Sequence, residues 1–260
     1  MADAFYEPLG DETYRSTEHT VGPWGPDSQH AGPPSALLGR ALERMETSWP
    51  GTLTRISLDI LGAVPVADLQ VRTQVLRPGR NVELVQGELV AGDRAVLRAQ
   101  AWRMRTAAID LPPVPEGGPV DPVPEFSEED GPFFEWGGGY LRAMQWRAVP
   151  GTRRGVGQAA VWARMRFPLV AGEEPTGLQR VLALADSGNG VSHRLEPDEW
   201  LFINTDLTVH LVAPPAGEWI CLDAVTRLDN SGFGLASSRL YDRDRLVALG
   251  AQSLFVAPRS

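Results

Sequence analysis

The chain has 260 residues, enough for one large domain or two of ordinary size. A hydrophobic fraction of 43% and a charged fraction of 22% are those of a globular protein, and a formal net charge of -9 argues against a phosphate backbone as partner, because nucleic-acid binding relies on clustered basic side chains. One cysteine, Cys221, and four dispersed histidines exclude an intrachain disulfide and give no zinc or iron–sulfur ligand spacing, so no metal and no cofactor is expected.

The opening "MADAFYEPLGDETY" lacks a basic segment followed by an apolar run, so no signal peptide is expected. No apolar stretch approaches the ~20 residues that span a bilayer. A cytoplasmic protein with no membrane partner is the expectation. Every basic side chain is Arg, which reads as the compositional bias of a GC-rich genome.

Along the chain, "TVGPW" precedes a helix predicted over "PPSALLGRALERM", residues 33–45. Pro33 and Pro34 suit a helix start, where a missing N–H costs nothing. Leu37, Leu38, Ala41, Leu42 and Met45 supply the helical period. Four strands are then predicted: "TRISLDILG", "LQVRTQVLR", "NVELVQGELVAG" and "AVLRAQAWRM". Gly and Pro punctuate the turns between them.

Residues 107–130, "AAIDLPPVPEGGPVDPVPEFSEED", are rich in Pro, Gly and acid and read as a linker. They divide the chain into units at 1–106 and 131–260. The second unit repeats the order of the first. "YLRAMQWRAVPG" and "GVGQAAVWARMRF" are strand-like, and a helix follows over "GLQRVLALADSG". Strands are predicted over "WLFINTDLTVHLV", "EWICLDAVTRLD", "FGLASSRLYDR" and "RLVALGAQSLFVA". "GDRAVLRAQAWRM" and "RDRLVALGAQSLFV" echo one another with a one-residue gap. Helices are too few for a parallel βαβ series. The expected class is α+β: two antiparallel sheets, each covered by one helix.

Candidate functional residues begin with Asp186. Leu178, Val181, Leu182 and Ala185 mark one buried helix face, and Asp186, four residues after Leu182, projects from the same side. Placed at a helix C-terminus, it opposes the macrodipole at a cost of about 0.3–1 kcal/mol. His30 lies before Gly32 and the double Pro, where a hydrogen bond at the helix start is the expectation. The eight tryptophans are scattered and read mostly as core, with no stacking platform for single strands. "GGG" at 137–139 lacks the Lys and Ser/Thr of a P-loop and reads as a turn, and no G-x-S-x-G is present.

Together these segments resemble the acyl-CoA thioesterases of the thioesterase II (TesB-like) double-hotdog family. The resemblance rests on "QHAGPPSALLGRAL", "VLRPGRNVELVQGELVAGDRAVLRAQAWRM", "AAVWARMR", "LALADSGN" and the run from "INTDLTVHLV" to "LGAQ". It implies two covalently joined hotdog units whose sheets form one saddle. It also implies hydrolysis of an acyl-CoA or another acyl thioester, with homodimerisation compatible. The family's water-positioning Asp, Thr and Gln fall on Asp186, Thr205 and Gln252, with Thr208 an alternative to Thr205. Gly32 and Gly188 stand as the substrate-binding candidates, in Gly-rich turns able to offer backbone N–H groups to the thioester oxygen. "INTD" and "DSGNG" depart from the family's usual residues around the Thr and after the Asp.

Two other readings stay open. A hotdog hydratase or dehydratase uses an acid–His pair with four residues between them (Asp-x4-His); Asp186 and His193 are seven apart, and Asp27 and His30 three. A non-catalytic acyl-ligand binder would keep a pocket and lose the water-positioning residues, all three types of which are present here.

Overall fold

A computed structural model describes residues 3–112, 122–128 and 138–259. Helix α1 spans Gly32–Arg44 with prolines in its first turn, and buries Leu37, Leu38, Ala41 and Leu42. The first-half meander follows as β3 (Gly51–Ile60), β4 (Asp68–Arg77), β5 (Val82–Ala91) and β6 (Arg94–Arg105). Ahead of α1 lies a hairpin the sequence reading missed, β1 (Tyr6–Gly10) and β2 (Thr13–Ser16). Both strands are short and β1 carries Pro8, which only an edge strand tolerates.

In the second half, "YLRAMQWRAVPG" is not one strand. Its start is a helical turn, α2 (Gly139–Ala143), before β7 (Met144–Ala148). Tertiary contacts override the β pattern. Tyr140 donates its N–H to Val21 O at 2.9 Å, and a Cβ on Gly138 would lie 2.9 Å from the same oxygen. Gly137 and Trp136 lie outside the described residues, as do residues 113–121 and 129–130 of the expected linker.

The chain continues through β8 (Gln158–Met165), α3 (Gly177–Ala185) and α4 (Gly188–Val191). It ends with β9 (Trp200–Asn204), β10 (Asp206–Leu211), β11 (Ile220–Asp229), β12 (Phe233–Tyr241) and β13 (Leu246–Pro258). Thr176 caps α3 by accepting the Gln179 N–H. The strand predicted over 200–212 breaks at Thr205, because β9 pairs the end of β13 while β10 pairs both β13 and β3.

The thirteen strands of the described residues form one sheet, in the order β1-β2-β4-β5-β6-β3-β10-β13-β12-β11-β8-β7, with β9 beside β13. The seam between halves is the antiparallel pair β3–β10, with Ser57 opposite Thr208 and Leu58 opposite Leu207. This is the continuous double-hotdog saddle. Helices α1 and α3 pack together over it, in one hydrophobic core drawn from both halves. The contact is close: a Cβ on Gly32 would meet Ala183 O at 2.2 Å. At the opposite end of the helix pair, Arg40 of α1 makes two 2.6 Å bonds to Glu173, and Arg44 adds a third at 3.0 Å.

Residues 122–128, inside the expected linker, are packed. Val123 and Phe126 cover Trp162, Cys221 and Tyr241, and Trp162 Nε1 donates to Glu125 O at 3.0 Å. The segment therefore acts as a strap across the second half of the sheet.

Candidate functional site

Asp186 is the C-cap of α3 and only 4% exposed. Burying a carboxylate at the negative end of a helix requires compensation. Two side-chain amides supply it, and a histidine ring lies beside them. Asn204 Nδ2 donates to Oδ1 at 2.7 Å, from the end of β9. Gln252 Nε2 donates to the Asp186 carbonyl at 3.0 Å and reaches Oδ1 at 3.4 Å, from the middle of β13. His30 Nδ1 lies 3.2 Å from Oδ2, from the turn before α1.

The carboxylate faces a cavity of about 400 Å³ between the halves, a size ordinary for small-ligand sites. Its walls are mainly apolar, including Ile60, Val64, Leu141 and Phe202. Trp24 stands at its edge, 46% exposed, which corrects its expected place in the core. Polar side chains reaching the cavity include His30, Asp186, Asn189, Asn204 and Thr205.

The proposed triad is brought together unequally. Gln252 is 2% exposed and sits behind Asp186, outside the cavity wall. Its Oε1 accepts the Asn189 N–H at 3.2 Å, so its amide joins Asp186 to α4. Thr205 lines the cavity but is exposed, and its hydroxyl's bond is a long 3.4 Å donation to Asp206. Thr205 does not share the burial of Leu207 and Val209, because the break between β9 and β10 interrupts the strand alternation. Thr208 bonds Ser57 Oγ at 3.1 Å, across the seam and away from the cavity.

Neither glycine expected to bind substrate lines the cavity. Gly32 spends its N–H on His30 Nδ1 at 3.1 Å and leaves no room beside Ala183. Gly188 lets Gln252 approach, since a Cβ there would fall 2.7 Å from Oε1. Both are small for packing reasons.

Sequence reasoning missed Asn204, whose signal was an amide at the end of an otherwise apolar strand. It assigned His30 a hydrogen bond at the helix start, which the structure contains, and missed the contact with Asp186. An acid–His pair does exist, formed between the halves and so invisible to local spacing. The His30 ring stacks on Tyr140, with centroids 3.9 Å apart and planes 12° from parallel. Burial lowers the His30 pKa, against the smaller opposing pull of Asp186. Burial raises that of Tyr140, whose hydroxyl donates to Ala183 O at 2.9 Å. Among the described residues no group of His, Cys, Asp and Glu could hold a metal ion.

Two family models match the chain. Residues 20–104 match an acyl-CoA thioesterase N-terminal domain, and residues 115–256 match an acyl-CoA thioesterase C-terminal domain. Curated protein sequences give no match. Among solved structures, a tesB protein of Mycobacterium avium subsp. paratuberculosis is 15% identical, with 97% of this chain and 96% of that chain covered and a TM-score of 0.71. A putative thioesterase II from Thermobifida fusca is 19% identical over 97% and 95%, at 0.71. A hot-dog-fold protein of unknown function from Alicyclobacillus acidocaldarius is 14% identical over 99% and 98%, at 0.72. At these identities the structures establish the fold.

Proposed function

Because the chain belongs to the acyl-CoA thioesterase family and is a thioester hydrolase, we propose that it cleaves acyl-CoA thioesters to free acid and CoA with a water activated by Asp186. The observation that carries this reading is a buried carboxylate held at the wall of a mainly apolar cavity. The acyl chain takes the apolar wall and the thioester carbonyl stands over Asp186. Water attacks the carbonyl carbon while Asp186 takes its proton. The C–S bond then breaks, the proton passes from Asp186 to sulfur and the thiol leaves.

Asn204 and Gln252 act by fixing the carboxylate, which is a positioning effect. Thr205, on the same cavity wall, offers its hydroxyl to the water. The reading needs no metal or cofactor. It keeps the chain as two hotdog units, 1–106 and 131–260, joined through 107–130. It places the enzyme in the cytoplasm, acting on a dissolved thioester with neither nucleic acid nor membrane as partner. Among the described residues no helix is long and apolar enough to cross a membrane.

The test is hydrolysis of an acyl-CoA panel by wild type and Asp186→Asn. Loss of a general base predicts a fall in kcat of about 10²–10⁴. Equal rates would overturn the role of Asp186. A wild type that binds acyl-CoA but turns over none of the panel would make the protein an acyl-ligand binder.

A further inference from the structure

Asp186 and His30 come from opposite halves of the chain and meet at the cavity wall. His30 Nδ1 has two neighbours with incompatible demands. The Gly32 N–H donates to it at 3.1 Å, which requires a lone pair there. Asp186 Oδ2 lies 3.2 Å from the same atom, and an ionised carboxylate opposite a lone pair forms no hydrogen bond.

A neutral ring that accepts at Nδ1 carries its hydrogen on Nε2. Burial and the N-terminus of α1 both disfavour the doubly protonated ring. Tyr140 covers one ring face and Nδ1 is engaged, so the edge bearing Nε2 is what the ring has left to present to the cavity. A neutral imidazole held at a helix start is suited to polarise a carbonyl.

We propose that His30 is a catalytic residue, a neutral imidazole whose Nε2–H donates to the thioester carbonyl oxygen. The proposal rests on the reading of Asp186 given above. As water adds, its oxygen bonds to the carbonyl carbon and the π pair moves onto the oxygen held by Nε2–H. The water's proton passes to Asp186. Oδ1 already accepts from Asn204, so the proton settles on Oδ2, and the unfavourable approach of a charged oxygen to the Nδ1 lone pair is relieved. A repulsive contact of the resting enzyme is thus relaxed in the tetrahedral intermediate, the kind of differential interaction that accelerates a reaction. Collapse restores the carbonyl, breaks the C–S bond and sends the proton held by Asp186 to sulfur. The acid and the thiol are then complete.

The test pairs two variants with a spectrum of the wild type. In His30→Asn the amide oxygen replaces Nδ1 as acceptor for Gly32 and the donor at Nε2 is lost. In His30→Gln the longer amide restores a donor near Nε2. His30→Asn should lower kcat by about 10²–10³ with KM little changed, the usual effect of removing one oxyanion donor. His30→Gln should recover at least about tenfold of that loss. ¹⁵N spectra of histidine-labelled wild type, with His30 assigned by its absence in His30→Asn, should show Nε2 protonated and Nδ1 bare at neutral pH. An unchanged kcat in His30→Asn, equal losses in two variants that melt like the wild type, or a hydrogen on Nδ1 would each overturn the proposal. A wild type inactive on every thioester overturns the hydrolytic mechanism instead, and the spectrum still decides the state of the ring.

Discussion

Asn204 and Asp186 are joined by a 2.7 Å bond from Nδ2 to Oδ1, and the strand carrying Asn204 breaks at the next residue. That break turns the amide onto the carboxylate and leaves Thr205 at the cavity wall. A hydrogen bond to a charged group contributes about 1.5–3 kcal/mol. Asn204→Ala should therefore lower kcat by about 10- to 100-fold, with a small change in KM, in steady-state assays on the best acyl-CoA. A KM effect alone would mean that Asn204 binds substrate and leaves Asp186 unaided.

Gln252 ties Asp186 to α4 from behind the site. Gln252→Leu strands the Asn189 N–H and the Asp186 carbonyl inside the protein, at a cost of about 1–3 kcal/mol for a buried unsatisfied group. Both stability and kcat should fall. A loss of kcat with an unchanged melting temperature would indicate direct contact with the water.

Gly32 and Gly190 should differ although both flank the site. A Cβ on Gly32 meets Ala183 O at 2.2 Å, whereas nothing lies within 4 Å of one on Gly190. Gly32→Ala forces α1 off α3, and overpacking of this kind costs about 1–3 kcal/mol. Gly190→Ala should leave the melting temperature within about 2 °C, the effect of less than ~1 kcal/mol at this chain length. Equal melting temperatures for the two variants would refute the close helix contact.

Glu173 joins the halves at the far end of the helix pair. The hydrogen bond from Arg40 holds its carboxyl below the usual carboxylate range. A depressed folded pKa contributes stability above the unfolded value of about 4.3 and loses it as pH falls through the folded value. Wild type should thus melt above Glu173→Gln at neutral pH, and the gap should narrow as pH falls below about 4.3 and close once it passes the folded value. A gap independent of pH would assign the effect to packing.

The strap at 122–128 shields Cys221. Burial raises its thiol pKa, so the wild-type thiol should resist disulfide reagents. Phe126→Ala uncovers Trp162 and Trp219, on which Phe126 packs edge-on at 5.3 and 5.2 Å. Labelling of Cys221 should accelerate, and stability should fall by about 2 kcal/mol, less than for a fully buried Phe. Unchanged labelling would mean that the sheet alone protects the thiol.

The sequence by itself determined the α+β class, the two central helices, most strands of both meanders and the inward aim of Asp186. Each is written in short-range periodicity, 3.6 for Leu37, Leu38, Ala41 and Leu42 and 2 for the strands, and the spacing of a few residues suffices to read it. Only the tertiary structure decided which groups meet Asp186. The helical turn at Tyr140, the break at Thr205, the packing role of Gly32 and Gly188 and the pairing of His30 with Asp186 all depend on contacts between distant segments. The seam β3–β10 and the α1–α3 contact set those distances, and neither leaves a trace in local spacing. The partners of a buried charge are chosen by what the fold brings within hydrogen-bond reach, a property of packing that periodicity does not encode.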